Sequence, residues 1–431
     1  NIQEIIIIIN QKSKSLLRKS ILELDKYPVN LVKIPEVGEL TQGNLKLDDM
    51  QKINIEDLLG RDTVEPDAYL LNSCIENKVI LITGCGGSIG SEICRQIIKL
   101  NPKKLVLIEQ SEFFLYEIEQ NLLDYKLKNK CVVPISSYLG SVSDTDFINN
   151  IFKKENIDTI YHAAAHKHVP LVEHNPLAAI QTNIFGTYIV ASAAYKNNVS
   201  NFVLISSDKA VRPTNVMGAT KRFAELILQS LQDLVNDMPT NKCKTKFCMV
   251  RFGNVLDTSG SVIPLFRKQI DAGGPLTVTD PKVIRYFMTI TEATELVIQA
   301  GSLSEGGDVF LLEMGEPMYV LDLAKEMIRL SGNEIKTKEN PTGNIEIIFT
   351  GLRDGEKLYE ELLIGETVSK TIHTHIMRAS EEKLEYEKII EFLDKFKKLS
   401  SRSSASSIQE LLHEAVEGYE PYINNNVLKI K

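Results

Sequence analysis

The chain has 431 residues, 43% hydrophobic and 25% charged, with a formal net charge of −8. That length allows two or three domains with a sizeable core, and the acidic balance argues against nucleic acid as the main partner. Six cysteines (Cys74, Cys85, Cys94, Cys131, Cys243, Cys248) form no CxxC pair or disulfide-module spacing, which predicts reduced thiols in a cytosolic compartment.

Residues 1–76 read as an N-terminal extension, the remnant of an upstream α/β unit. It holds an Ile-rich strand at Ile5–Ile9, a helix near Lys12–Tyr27 and short strand-like pieces ending at Ile55–Gly60. No apolar run approaches the ~20 residues a membrane helix needs, and no signal peptide opens the chain. The first residue is Asn1 and the first strand begins abruptly. The expectation is a fragment whose upstream part carries any membrane anchor.

From Lys78 the pattern becomes strand–helix alternation, with strands predicted at Val79–Thr83, Leu105–Ile108, Cys131–Ile135, Thr159–His162, Phe202–Ser206 and Phe247–Arg251. A helix after the first carries Ile89, Ile93 and Ile97 on one face, and another spans Pro176–Tyr195. Repeated alternation predicts an α/β fold with a doubly wound parallel sheet. Residues 77–255 are assigned to this nucleotide-binding domain. After Asn254 Gly/Pro turns multiply, so 256–380 reads as mostly a smaller substrate lobe. Residues 381–431 read as a helical tail with a Ser-rich break at Ser400–Ser407.

Gly84, Gly87 and Gly90 make a G-x-x-G-x-x-G turn between the first strand and its helix. Such a turn lets backbone amides and the helix start meet a pyrophosphate. Glu109 ends the next strand, 19 residues past Gly90. A carboxylate there accepts from ribose hydroxyls and repels a 2′-phosphate, favouring NAD over NADP. His162, His166 and His168 straddle a strand end and a loop without a completing carboxylate or thiol, so no metal site is expected. Asn183 reads either as a polar active-site group or as a buried, satisfied amide.

Ser206-Ser207-Asp208-Lys209 follows the fifth strand, and Met217-Gly218-Ala219-Thr220-Lys221 comes ten residues after Ser207. In short-chain dehydrogenases a hydroxyl at such a strand end partners Tyr-x-x-x-Lys on the next helix. Here Met217 fills the tyrosine slot, while an acid and a base stand beside the hydroxyl. That combination predicts more than a simple oxidation.

Together with HAAAHKHVPLVEHNP, SSDKAVRPTNVMGATKR, GGPLTVTDPKVIRYFMT and GLRDGEKLYEE, these segments closely resemble the UDP-N-acetylglucosamine 4,6-dehydratase family of the extended short-chain dehydrogenase/reductases, in its long, membrane-anchored branch of bacterial glycan biosynthesis. The resemblance runs from about Ile34 to Tyr419-Glu420-Pro421. It implies NAD as cofactor, UDP-N-acetylglucosamine as substrate, a homo-oligomer, and an inner-membrane anchor upstream of a cytoplasmic domain. The implied cofactor contacts are Gly84, Gly87, Ser88, Ile89, Gly90, Glu109, Ser111, Val142, Ala163, Ala164, Ala165, Asn183 and Lys221; Lys167, Asn254, Arg267, Arg285, Arg353 and Glu356 would hold the UDP-sugar. Lys209 would take the C5 proton, Asp208 would protonate the C6 oxygen, Ser207 would bond the C4 oxygen and Lys221 the nicotinamide ribose. Departures are Ser207 for threonine, Asp354 for proline, and Gly140-Ser141-Val142-Ser143-Asp144 for Gly-Asp-Val-Arg-Asp, which puts the adenine contact at Ser141 in question. Competing readings are a UDP-sugar 4-epimerase, which needs a tyrosine but no C5 base, and a catalytically silent NAD-binding sensor.

Overall fold

Continuous apolar runs bounded by Gly and Asn turns make strands that are buried on both faces, the signature of a parallel sheet covered by helices. The computed structural model describes residues 4–7, 14–24, 30–33, 51–52, 57, 65–238, 243–353, 355–361 and 368–421. The chain forms two units, one of Pro66–Gly253, Ile290–Glu313 and Arg353–Lys431, the other of Asn1–Glu65, Asn254–Thr289 and Met314–Leu352.

The larger unit is built on nine strands: β1 (Val79–Thr83), β2 (Lys104–Glu109), β3 (Ile135–Leu139), β4 (Thr159–His162), β5 (Asn201–Ile205), β6 (Lys246–Arg251), β7 (Asp308–Leu312), β8 (Val368–Lys370) and β9 (Ile376–Ala379). Their order is β8-β9-β7-β6-β5-β4-β1-β2-β3. β1 to β7 are parallel; β9 runs antiparallel to β7, and β8 antiparallel to β9. The order reverses between β1 and β4, the switch point beyond whose strand carboxyl ends sheets of this kind place a ligand. The fold is a Rossmann-type α/β sheet, as the alternation predicted. One strand is displaced: β3 begins at Ile135, where the sequence suggested Cys131–Ile135. Lys130, at φ 52°, ends the preceding helix in the left-handed region. Pro134 offers no N–H, and its carbonyl accepts from Leu105 at 2.9 Å before the ladder starts.

Helices α1 (Ser88–Ile97), α2 (Glu112–Asn129), α3 (Thr145–Lys154), α4 (Thr187–Lys196), α5 (Val216–Asn236), α6 (Ile290–Leu303), α7 (Tyr386–Lys397) and α8 (Ala405–Ala415) cover the sheet. The stretch ending in α4 is one rod, Pro176–Lys196, with a wider π-helical passage at Ile180–Gly186. By length and composition this rod could cross a membrane, which the sequence reading of apolar runs did not anticipate. It lies instead in the core, with Ile180, Ile184, Val190 and Ala194 buried. α5 is buried along nearly its whole length, and the tail helices close over it. Phe223 meets Phe392 and Phe396 edge-on at 6.1 and 5.2 Å. The predicted Ser-rich break falls between α7 and α8, where Ser404 caps α8 by accepting from Ser407 N–H at 3.1 Å.

In the smaller unit Glu4–Ile7 pairs in parallel with Asn30–Lys33, joined by a helix at Lys14–Leu24. The remaining residues of the predicted Ile5–Ile9 strand and Lys12–Tyr27 helix, and Ile55–Gly60 apart from Asp57, lie outside the described residues. Asn254–Val255 pairs with Phe287–Met288, Leu276–Val278 with Ile347–Phe349, and Ile284–Arg285 with Met318–Tyr319.

Candidate active site

The glycine turn is shaped by close approach. Gly84 sits at φ 65°, its N–H on the Ile108 carbonyl at 2.8 Å, and a Cβ there would lie 2.7 Å from the Ala164 backbone. A Cβ on Gly90 would come 2.1 Å from the Gly84 carbonyl oxygen, so α1 can start this close only with glycine. Gly87 caps α1, and Ser88 and Ile89 form its first turn. Gly86, which the spacing did not single out, is equally constrained: its Cβ would fall 2.4 Å from Phe114 Cβ. Its N–H donates to Glu109 Oε2 at 3.1 Å, while Glu109 Oε1 accepts from Gln110 and Ser111 N–H at 2.9 and 3.1 Å. Backbone amides therefore fix the Glu109 carboxylate at the mouth of the turn. Ser111 caps α2, accepting from Phe114 N–H at 3.5 Å. Val142 is buried against Gly186, where a Cβ would be 2.7 Å from Val142 Cγ2, and Ser141 Oγ bonds Ser143 Oγ at 2.9 Å.

Ala163, Ala164 and Ala165 follow β4 along this turn. His162 is a core residue: its ring nitrogens meet Thr83 Oγ1 at 2.7 Å and Thr187 Oγ1 at 3.1 Å. Burial, reinforced by Lys221, lowers its pKa to about 3, so it stays neutral. Asn183 is buried and its amide is hydrogen-bonded. It accepts from His166 N–H at 2.8 Å and donates to the His166 carbonyl and to Thr220 Oγ1, each at 3.0 Å. Lys167 is an exposed residue whose ammonium is partly desolvated, which lowers its pKa.

At the end of β5, Ser207 Oγ donates to Asp208 Oδ1 at 2.9 Å and accepts from Lys209 N–H at 3.2 Å. Asp208 is buried, and Lys209 Nζ stands 3.0 Å from its Oδ1. The three side chains read from sequence as one group do touch. The start of α5 is pressed against them, because a Cβ on Gly218 would lie 2.2 Å from the Lys209 carbonyl oxygen. Asn215 caps this end, its side chain accepting from Gly218 N–H at 2.8 Å, and Glu173 accepts from Val216 N–H at 2.7 Å. Met217 is buried in the apolar core, one turn before Lys221. Lys221 Nζ donates to the Ile205 carbonyl at 2.9 Å. Burial lowers its pKa to about 8, against the pull of Glu225.

A second carboxylate, Glu360, reaches Lys209 Nζ at 3.5 Å. It arrives on a strap whose Gly355 carbonyl accepts from Thr214 Oγ1 at 3.1 Å and Asn215 Nδ2 at 3.2 Å, and whose Lys357 Nζ donates to the Arg212 carbonyl at 2.9 Å. Sequence reasoning missed Glu360. Its signal is its place in GLRDGEKLYEE, where Arg353 and Glu356 are the residues that resemble a UDP clamp.

Behind the cluster lies a buried ion network. Glu225 accepts from Ser206 Oγ at 2.6 Å, from Arg251 Nε and NH2 at 2.8 and 2.6 Å, and from Arg222 NH1 at 3.0 Å. Glu381 pairs with Arg251 at 2.5 Å. Burial alone would raise Glu225, but Arg251 and Arg222 hold its pKa at about 2. This too went unseen, because its members are spread from Ser206 to Glu381.

The expected UDP contacts fall in both units. In the smaller one Asn254 N–H donates to the Tyr286 carbonyl at 3.1 Å, Arg285 is buried with NH1 on the Ile284 carbonyl at 2.8 Å, and Arg267 pairs with Asp257 at 3.1 Å on the surface. In the larger one Arg353 is exposed, and Glu356 Oε2 accepts its N–H at 3.2 Å.

Residues 80–381 match a family described as polysaccharide biosynthesis protein. The chain belongs to that family. It is 50% identical over 335 residues to the capsular polysaccharide biosynthesis protein CapD of Staphylococcus aureus, covering 78% of this chain and 53% of CapD. The chain thus spans about half the length of the curated relatives it matches. It is 35% identical over 296 residues to a UDP-glucose 4-epimerase of Rickettsia bellii, covering 68% of this chain and 80% of that protein. The X-ray structure of Pen from Bacillus thuringiensis superimposes with a TM-score of 0.61 at 33% identity, covering 75% of this chain and 99% of Pen. In family terms, the matched region runs from β1 through the glycine turn, the Ser207–Lys209 cluster and the Glu360 strap, and ends at Glu381.

Proposed function

We propose that the chain is the catalytic part of an NAD-dependent UDP-N-acetylglucosamine 4,6-dehydratase. The carrying observation is the contact between Ser207, Asp208 and Lys209 beside a helix start where Met217, not a phenol, is buried. The glycine turn fits NAD: Gly84 and Gly90 let the turn, the Ala164 backbone and the start of α1 close up as a tight phosphate-binding turn requires, and the fixed Glu109 carboxylate suits ribose hydroxyls and opposes a 2′-phosphate. Gly84, Gly87, Glu109 and Lys221 would hold the dinucleotide. Bound, it supplies a hydride acceptor at the start of the reaction and a hydride donor at the end.

The residues account for the protons. Ser207 already donates to Asp208, so a sugar C4 hydroxyl bonded to Ser207 passes its proton to Asp208 through that hydroxyl. The C4 ketone acidifies C5, and the neutral Lys209 amine removes that proton. Asp208 returns the proton it took to the C6 oxygen, which leaves as water. Lys209, now an ammonium beside an ionised Asp208, later gives its proton back to C5. The net change is loss of one water, with both side chains restored.

The match to a UDP-glucose 4-epimerase favours the epimerase as second reading. Epimerisation needs an acid–base at C4 and leaves Lys209 without a task. The two are separated by incubating the protein with NAD and UDP-N-acetylglucosamine deuterated at C4. The dehydratase gives a product one water lighter carrying deuterium at C6; a product of unchanged mass with inverted C4, or no product, overturns the proposal. Lys209→Ala should abolish turnover and leave UDP binding within about twofold by calorimetry, and retained turnover removes Lys209 as the base.

A further inference from the structure

Lys209 is gripped from two sides, and only one side is written in its own loop. Asp208, the preceding residue, holds Nζ at 3.0 Å; Glu360, 151 positions later, holds it at 3.5 Å. The Glu360 side chain is only 6% exposed, so the strap brings a carboxylate out of water to this ammonium. Removing a carboxylate from water is costly unless a cation compensates it, and Lys209 is a cation within its reach. The strap is fixed independently of this contact. Lys357 spans the Val211 and Arg212 carbonyls, Arg212 pairs with Glu361, and Gly355, at φ 73°, packs its Cα against Asn215 where a Cβ would fall 2.9 Å from that side chain. Glu360 therefore sits where the fold puts it rather than where Lys209 pulls it.

We propose that Glu360 is a positioning residue for Lys209: it aims the amine and stabilises the ammonium that forms when Lys209 takes a proton. This rests on the base role proposed above. Asp208 cannot do the same work, since in that mechanism it is neutral when Lys209 becomes charged. Glu360 is then the carboxylate facing the new cation. The other charged groups on elements packed here are engaged elsewhere. Lys221 bonds the Ile205 carbonyl, Arg212 pairs with Glu361, Lys357 bonds loop carbonyls, and Glu173 caps α5.

The test reads the amine directly. Acetylation of Lys209 by an N-hydroxysuccinimide ester, followed by peptide mass spectrometry across pH, reports its neutral fraction in the whole chain. A carboxylate this close stabilises the ammonium, so Glu360→Gln should move the midpoint about one pH unit or more downward, while Glu360→Asp restores much of it. An unchanged midpoint in Glu360→Gln overturns the inference. So does an equal shift in Glu360→Asp and Glu360→Gln, which would mark a collapsed strap. Should Glu360→Gln fail to fold, Glu360→Ser is compared with Glu361→Gln, which loosens the strap but keeps Glu360: a lower midpoint in Glu360→Ser alone supports the assignment, and equal midpoints overturn it. In the turnover assay kcat should fall at least tenfold in Glu360→Gln with KM for UDP-N-acetylglucosamine within threefold; a change in KM alone counts against it. Failure of the wild type to release water defeats the dehydratase reading but leaves the acetylation result standing.

Discussion

Gly218 carries the tightest demand among the residues of the cluster. A methyl group there would lie 2.2 Å from the Lys209 carbonyl oxygen. Overpacking of this kind typically costs about 1–3 kcal/mol. Gly218→Ala is therefore expected to lower the melting temperature and to reduce kcat more than it weakens NAD binding, since the displaced backbone is that of Lys209. Equal kcat and an unchanged melting curve would show that the loop is not seated as described. Glu225 gives a second prediction at this scale. Its pKa of about 2 lies below the ordinary 4.5, so the stability it contributes is fully present above pH 4.5 and lost as pH falls toward 2. A shift of that size corresponds to roughly 3 kcal/mol. His162, lowered to about 3, acts with the same sign between pH 6.5 and 3, because it must charge on unfolding. Glu225→Gln should flatten the acid limb of a stability–pH curve between pH 4.5 and 2. A limb as steep as in the wild type would contradict this.

Among the elements, those whose signal is local were legible. The periodic strand–helix alternation gave β1, β2, β4, β5 and β6 nearly to their ends, because a buried parallel strand is an apolar run with clear stops. β3 was misplaced by four residues, since an edge strand with half-buried Ser and Tyr has no such run. Asn183 is ambiguous in sequence because an amide's partners are not in its own segment; here they are His166 and Thr220. The strap was the largest omission. Its Arg353 and Glu356 stand at its exposed end, while Glu360, buried against Lys209, carries no sequence mark distinguishing it from Glu361. Lys357→Met removes the bonds to the Val211 and Arg212 carbonyls. It should expose the strap to limited proteolysis and lower turnover without changing the fold by circular dichroism; a protease pattern like the wild type's would refute that docking.

For the molecule as a whole, the tail is part of the core. Phe392 and Phe396 cover Phe223, Glu381 completes the Arg251 pair, and Tyr419 is fully buried with Glu420 N–H on the Pro213 carbonyl at 3.0 Å. A chain ending at Ser380 should be insoluble or molten, since it leaves α5 uncovered and Arg251 short of a partner in a dry site; a cooperative melting transition in that truncation would refute this. The amino-acid order by itself determined the Rossmann-type sheet, the glycine turn with Glu109, and the Ser207–Asp208–Lys209 triplet, because each is written within a few tens of residues. Tertiary structure alone decided that Glu360 faces Lys209, that Glu225 is clamped by two arginines, and that Asn183 braces the His166 loop. Those contacts join residues far apart in the chain, and burial, not spacing, makes them strong.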